Sequence, residues 1–146
     1  MADQIQTLKL EISKNAALLP YERISFHKIL GILKTENGMQ VLLKDLNSVQ
    51  LIRESAILTL KDFKHNEVQK AFLELLKKKI SDTEIMHIFD HFSMYGTPEV
   101  VESAVEYIEK NKSKEDALPV LAKAFNIIKT LGESKIEIKD YLKLLA

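Results

Sequence analysis

His87-Ile-Phe-Asp-His91 places two imidazoles four residues apart. On a helix that spacing turns both toward one side, which is how zinc hydrolases present two of their ligands. Asp90 gives the string the outline of an H-x-x-E-H motif with a shorter acid. No further acidic residue is identifiable as a third ligand, and Ile85, Ile88, Phe89 and Phe92 claim the opposite, buried face. His87 and His91 are therefore expected to be exposed helix residues and are only a weak metal candidate; no metal and no cofactor is expected. Other catalytic chemistries find no better footing. Acids are plentiful, but nothing marks two of them as the buried pair that glycoside hydrolysis needs. There is no cysteine, no glycine-rich phosphate loop and no Gly-x-Ser-x-Gly elbow, and none of the nine serines stands in a nucleophile setting. The expectation is a protein without catalytic residues and not an enzyme.

Charge patterning says more. Glu99, Glu102, Glu106 and Glu109 are spaced 3, 4 and 3 apart, one acidic stripe opposite Val100, Ala104 and Ile108. The segment that ends in Lys77-Lys78-Lys79 carries Lys70 and Glu74 on its exposed face. A basic block beside an acidic ridge can guide partner choice and association rate. Tyr107, an aromatic among these charges, reads either as a contact anchor of the kind interfaces favour or as a residue at the edge of the core. The candidate partner-binding set is thus Lys70, Glu74, Lys77, Lys78, Glu99, Glu102, Glu106, Tyr107 and Glu109. A solvated helix face is the plainer reading of the same charges.

These side chains need helices to carry them. In 146 residues, 46% hydrophobic and 29% charged, the balance is that of a globular domain with a sizeable core. Four glycines and three prolines are too few for the tight turns of an all-β chain. Lys+Arg equals Asp+Glu at 21 each, so the basic excess of a general nucleic-acid binder is missing. No signal-peptide pattern and no membrane-length apolar run occurs, and a cytoplasmic location is expected.

Apolar spacing and caps predict about nine helices. The first covers about 4–19, with Asp3 and Gln6 as a capping box and Ile5, Leu8, Ile12 and Leu19 as its stripe. The second follows Pro20 and carries Phe26, Ile29, Leu30 and Leu33; Asn37-Gly38 breaks it from a third with Met39, Leu42, Leu43 and Leu46. Asn47 or Ser48 caps the fourth, and Asn66 starts the fifth. Ser81-Asp82-Thr83-Glu84 reads as a capping box for the sixth. Gly96 suits a left-handed turn, and Thr97-Pro98-Glu99 supplies a cap, a first-turn proline and an acid at the positive end of the seventh. The eighth begins between Ser113 and Asp116 with Pro119 in its first turn, and the ninth covers about 135–145. Tyr21, Tyr95 and Tyr141 read as structural.

The junctions repeat. Phe63 and Tyr95, Val68 and Val100, and Leu76 and Ile108 are each 32 residues apart. Met39 and Leu46 precede Val68 and Leu75 by 29, and Ile136 and Leu144 follow Val100 and Ile108 by 36. A period in this range marks stacked helical pairs, because one pair cannot cover its own apolar face.

The strings Leu60 to Leu76, Tyr95 to Ile108 and Lys110 to Leu121 resemble bacterial HEAT-like repeats of the PBS-lyase type. The resemblance covers roughly 21–146. It implies an all-α, right-handed α-solenoid of about four helix pairs, at about 21–47, 48–80, 81–111 and 112–146, behind an N-terminal capping helix within 1–20. Inner helices of that family line a concave groove. Its members include scaffolds, regulatory modules, chromophore lyases and some DNA-repair glycosylases, and fold alone does not choose among them. The reading favoured is a non-catalytic interaction or regulatory module that binds a protein or peptide, with no nucleic acid and no membrane as partner. A nucleic-acid-binding or DNA-repair protein and a small-molecule or metal-binding domain are the alternatives. Leu144-Leu145-Ala146 offers no polar cap, so continuation into further domains at the C-terminus is expected.

Overall fold

The computed structural model describes residues 19–132. The expected first and ninth helices, with Tyr141 and the C-terminal continuation, lie outside them. Every regular element among the described residues is helical: α1 (Pro20–Leu33), α2 (Glu36–Asp45), α3 (Gln50–Leu60), α4 (Asn66–Leu76), α5 (Asp82–Tyr95), α6 (Val101–Asn111) and α7 (Leu118–Leu131). Short 3-10 turns at Pro98–Val100 and Glu115–Ala117 lead into α6 and α7. No helix of the described residues is long and apolar enough to cross a membrane.

Several boundaries follow side-chain chemistry as expected. Ser81 Oγ accepts from the Glu84 N–H while Glu84 Oε1 accepts from the Ser81 N–H, closing the capping box on α5. Prolines open α1, the turn before α6, and α7, where their missing N–H costs nothing.

Other boundaries differ. The break between α1 and α2 falls at Lys34-Thr35, and Asn37 and Gly38 are helical. Thr35 Oγ1 accepts from the Gly38 N–H at 3.0 Å, so a threonine cap starts the helix two residues before the Asn-Gly pair. Lys34 ends α1 in the left-handed region at φ 46°, a conformation more usual for glycine. Gly96 is not left-handed; its φ is −65°. Glycine is needed there because a Cβ would meet the Phe92 carbonyl oxygen at 2.4 Å. Neither Asn47 nor Ser48 caps α3; Val49 holds that place without a side-chain bond.

The packing has a simple order. α1 lies against α3, α3 against α5, and α5 against α7. The even helices attach to that file: α2 to α1 and α3, α4 to α5, and α6 to α7. Gly31 lets α1 approach α3 closely, since a Cβ there would meet Thr59 Cγ2 at 2.8 Å. The core runs along the seam between odd and even helices. Leu30, Leu60 and Phe92 occupy it at intervals of 30 and 32 residues, as do Phe26, Ala56 and Ile88, and all are buried. Each large apolar side chain removed from water contributes about 1.5–3 kcal/mol before chain entropy is charged against it.

Candidate functional site: a charged cleft between α4 and α6

α4 and α6 both stand over α5 and leave a cleft of about 530 Å³ between them. Its apolar surface comes from Leu73 and Leu76 of α4, Ile85 and Phe89 of α5, and Tyr107 of α6. Lys70, Glu74 and Lys77 rise on the α4 side. Glu99, Glu102, Glu106 and Lys110 rise on the α6 side. The same periodicity produces both features. Residues that face the α4–α5 or α6–α7 seam are buried (Val68, Phe72 and Leu75; Ala104 and Ile108), and those a third of a turn away form the walls.

Seven of the nine partner-binding candidates therefore line one cleft: Lys70, Glu74, Lys77, Glu99, Glu102, Glu106 and Tyr107. Lys78 and Glu109 are exposed but are not part of its lining. The two walls differ electrostatically. Lys77 Nζ lies 2.8 Å from Glu74 Oε1 within α4, and that ammonium holds the Glu74 carboxyl below its ordinary range. Glu99, Glu102 and Glu106 make no ion pair among the described residues.

One end of the cleft is held by a clasp that sequence reading missed. Gln69 Nε2 donates to Thr97 Oγ1 at 2.8 Å, and the Thr97 N–H donates back to Gln69 Oε1 at 3.0 Å. This ties the start of α4 to the turn before α6 and sets their separation. Gln40 does a similar thing one unit earlier, donating to Glu67 Oε2 at 2.8 Å and linking the start of α2 to that of α4. Gln40 and Gln69 are 29 residues apart, the same interval as Met39 and Val68. That shared register is the signal that could have found them.

Tyr107 takes the core-edge place: it is 9% exposed, packed edge-on against Phe89 with ring centroids 5.5 Å apart. Its hydroxyl has no hydrogen-bond partner among the described residues. Burial, with lesser help from Asp82 and Asp116, pushes the phenol up to about 12, so it stays protonated. Tyr95 is half-buried, whereas Tyr21, read as structural, is exposed.

The histidines are corrected too. His91 is 1% exposed: its Nδ1–H donates to the Lys61 carbonyl at 2.8 Å, and its ring meets Phe72 edge-on. His87 is half-buried, with Nδ1 enclosed and unpartnered among the described residues. The face opposite Ile88 and Phe92 is covered here by α3, which the α5 sequence cannot reveal. Burial lowers both imidazoles; Lys61 adds to the effect at His87, while the Lys61 carbonyl partly offsets it at His91. Asp90, between them, pairs with Lys61 and Lys123 instead of with either ring.

Among the described residues, one group of potential metal ligands lies within mutual reach: Glu36, His65 and Glu67, all exposed. His65 Nδ1 accepts from the Glu67 N–H at 3.1 Å and caps α4 with it. The neutral ring then carries its proton on Nε2 and has no second free lone pair. The group also lies at the starts of α2 and α4, the positive ends of helices, where carboxylates are stabilised and cations are not.

A second polar cluster lies under α1, away from the cleft. Arg23 grips Asp45 with Nε at 2.7 Å and Nη2 at 2.5 Å. His27 Nε2 is 2.7 Å from Asp45 Oδ2 and Nδ1 is 2.8 Å from Ser55 Oγ. A carboxylate only accepts, so His27 donates from Nε2 and turns Nδ1 to the serine. The order Ser-His-Asp matches an acyl-transfer triad. The surroundings do not: His27 is 0% exposed, and Ser55 lies mid-helix with its N–H committed to the α3 ladder. Burial alone would raise Asp45, but the bonds from His27 and Arg23 outweigh it and hold the carboxyl low. Arg53 repeats the device at 2.5 Å from fully buried Glu84, joining α3 to α5. In both cases a polar residue replaces an apolar one in register, His27 against Ile57 and Phe89, and Glu84 against Ile52 and Val120.

Comparison of the chain with protein-family models, with curated proteins and with solved structures returns no match.

Proposed function

We propose that this chain is a HEAT-like α-solenoid that serves as a non-catalytic interaction or regulatory module, taking a protein or peptide partner in the cleft between α4 and α6. The observation that carries the reading is that Lys70, Glu74, Lys77, Glu99, Glu102, Glu106 and Tyr107 line one apolar-floored cleft with charged walls. An apolar floor gives a partner side chain something to bury, and a charged rim steers and selects. The solenoid reading draws support from two features: each odd helix packs on the next odd helix, and Gln40 and Gln69 make corresponding links 29 residues apart. The non-catalytic reading rests on how the polar clusters are built. Their groups are buried and tied across helices, which suits holding the units in register more than reaching a substrate. A nucleic-acid role is disfavoured by Glu99, Glu102 and Glu106, which would meet phosphates with like charge.

The test compares affinity capture by three forms of the protein from native extract. A partner retained by wild type and by the outer-face variant Leu58→Lys, but lost by the cleft variant Leu73→Lys, supports the reading. Loss with Leu58→Lys and retention with Leu73→Lys would place docking on another face and end it.

A further inference from the structure

The strongest asymmetry in the cleft is between its two walls. On α4, Glu74 and Lys77 neutralise each other. On the α6 side, Glu99, Glu102 and Glu106 form a row that makes no ion pair among the described residues, with Glu106 reaching Lys77 across the cleft only at longer range. Between the walls lie the half-buried Leu73, Leu76 and Ile85, set over the buried Phe89 and Tyr107. A half-buried apolar floor beside an acidic row without ion pairs asks for a cation-bearing apolar segment.

Resting on the docking reading above, we propose that the cleft recognises a basic amphipathic helix: one apolar side chain on the floor formed by Leu73, Leu76 and Ile85, and lysines or arginines along the α6 wall. The spacing argues for a helix. Glu99 to Glu106 spans seven residues, a rise of about 10 Å along the axis. A partner helix with basic residues at i, i+3 or i+4, and i+7 rises by the same amount and presents its apolar residues beside that row. Length is limited as well. Lys110 follows Glu106 by one turn, and Lys70 adjoins Gln69, whose clasp with Thr97 brings it to the Glu99 end. Basic residues beyond the seven-residue span would meet these lysines, so a short basic stretch binds better than a long polybasic one.

The probe is a capped, helix-stapled peptide of alanine and leucine carrying lysine at i, i+3 and i+7, with a matched peptide carrying glutamate instead. Fluorescence anisotropy at low ionic strength should show the lysine peptide binding at least tenfold more tightly. Amide shifts should centre on Leu73, Phe89 and Tyr107, and Glu99→Gln/Glu102→Gln/Glu106→Gln should cut the preference below threefold. Two failures are distinguishable. A glutamate peptide that binds as tightly and shifts the same cleft residues overturns the basic-helix proposal and leaves the docking reading intact. Shifts confined to faces outside the cleft, with either peptide, overturn both.

Discussion

The α1–α3 polar cluster and the α4–α6 cleft both gather charged side chains carried by helices. Their environments are opposite. Arg23, His27, Asp45 and Ser55 saturate one another across three helices, with His27 and Asp45 at 0% and 4% exposure. Glu99, Glu102 and Glu106 are exposed and unpaired among the described residues. A buried carboxylate that loses its partners keeps its desolvation cost, whereas an exposed one is solvated either way. Charge therefore ties helices together in the first region and stays in solvent in the second.

The largest effect should come from breaking the first region. Asp45→Ala removes the acceptor of both His27 and Arg23, and the expected loss is about 3–5 kcal/mol in urea unfolding. A loss below 1 kcal/mol would remove the distinction between the two regions.

Acid sharpens the comparison. His87 and His91 have lowered imidazoles in the fold, so below pH 6.5 the unfolded chain takes up protons before the folded one does. Stability should fall as pH drops from 6.5 and level off once the folded rings titrate. Asp45 and Glu84 are held low, so their contribution persists above the ordinary carboxylate range and goes only as pH falls through their folded values. His87→Gln/His91→Gln should flatten the upper step in a pH series of unfolding midpoints and leave the lower one.

Gln69→Ala opens the clasp that joins the regions' common architecture to the cleft. It strands the Thr97 N–H and should cost about 1–2 kcal/mol, read as a lower melting temperature. Tyr107→Phe should act in the other direction. Removing a buried hydroxyl without a partner is expected to raise stability by about 1 kcal/mol in the same assay. A fall would mean that the hydroxyl is satisfied.

Seven of the nine expected helices can be checked within residues 19–132, and all seven are present because their stripes are local and periodic. The cleft was readable for the same reason: a stripe of acids at spacing 3 and 4 opposite Val100 and Ala104 fixes the exposed face of α6 without tertiary knowledge. His87 and His91 were misread because α5 is covered on two sides, by α3 and by α7, and the second covering depends on neighbours distant in sequence. Asp45 was invisible for that reason too: its partners Arg23 and His27 are 22 and 18 residues away. His27 and Glu84 were recoverable in principle, as polar residues at positions where neighbouring units carry apolar ones. The Asn37-Gly38 break failed because Thr35 outcompetes it as a cap.

The most direct test measures stability and peptide affinity in one protein, Glu99→Gln/Glu102→Gln/Glu106→Gln. The account predicts a urea midpoint that moves by less than about 0.5 kcal/mol per site, together with at least a tenfold loss of affinity for the lysine peptide. Intact affinity with a stability loss of several kcal/mol would contradict it, because the acidic wall would then be part of the framework and not a surface held open for a partner.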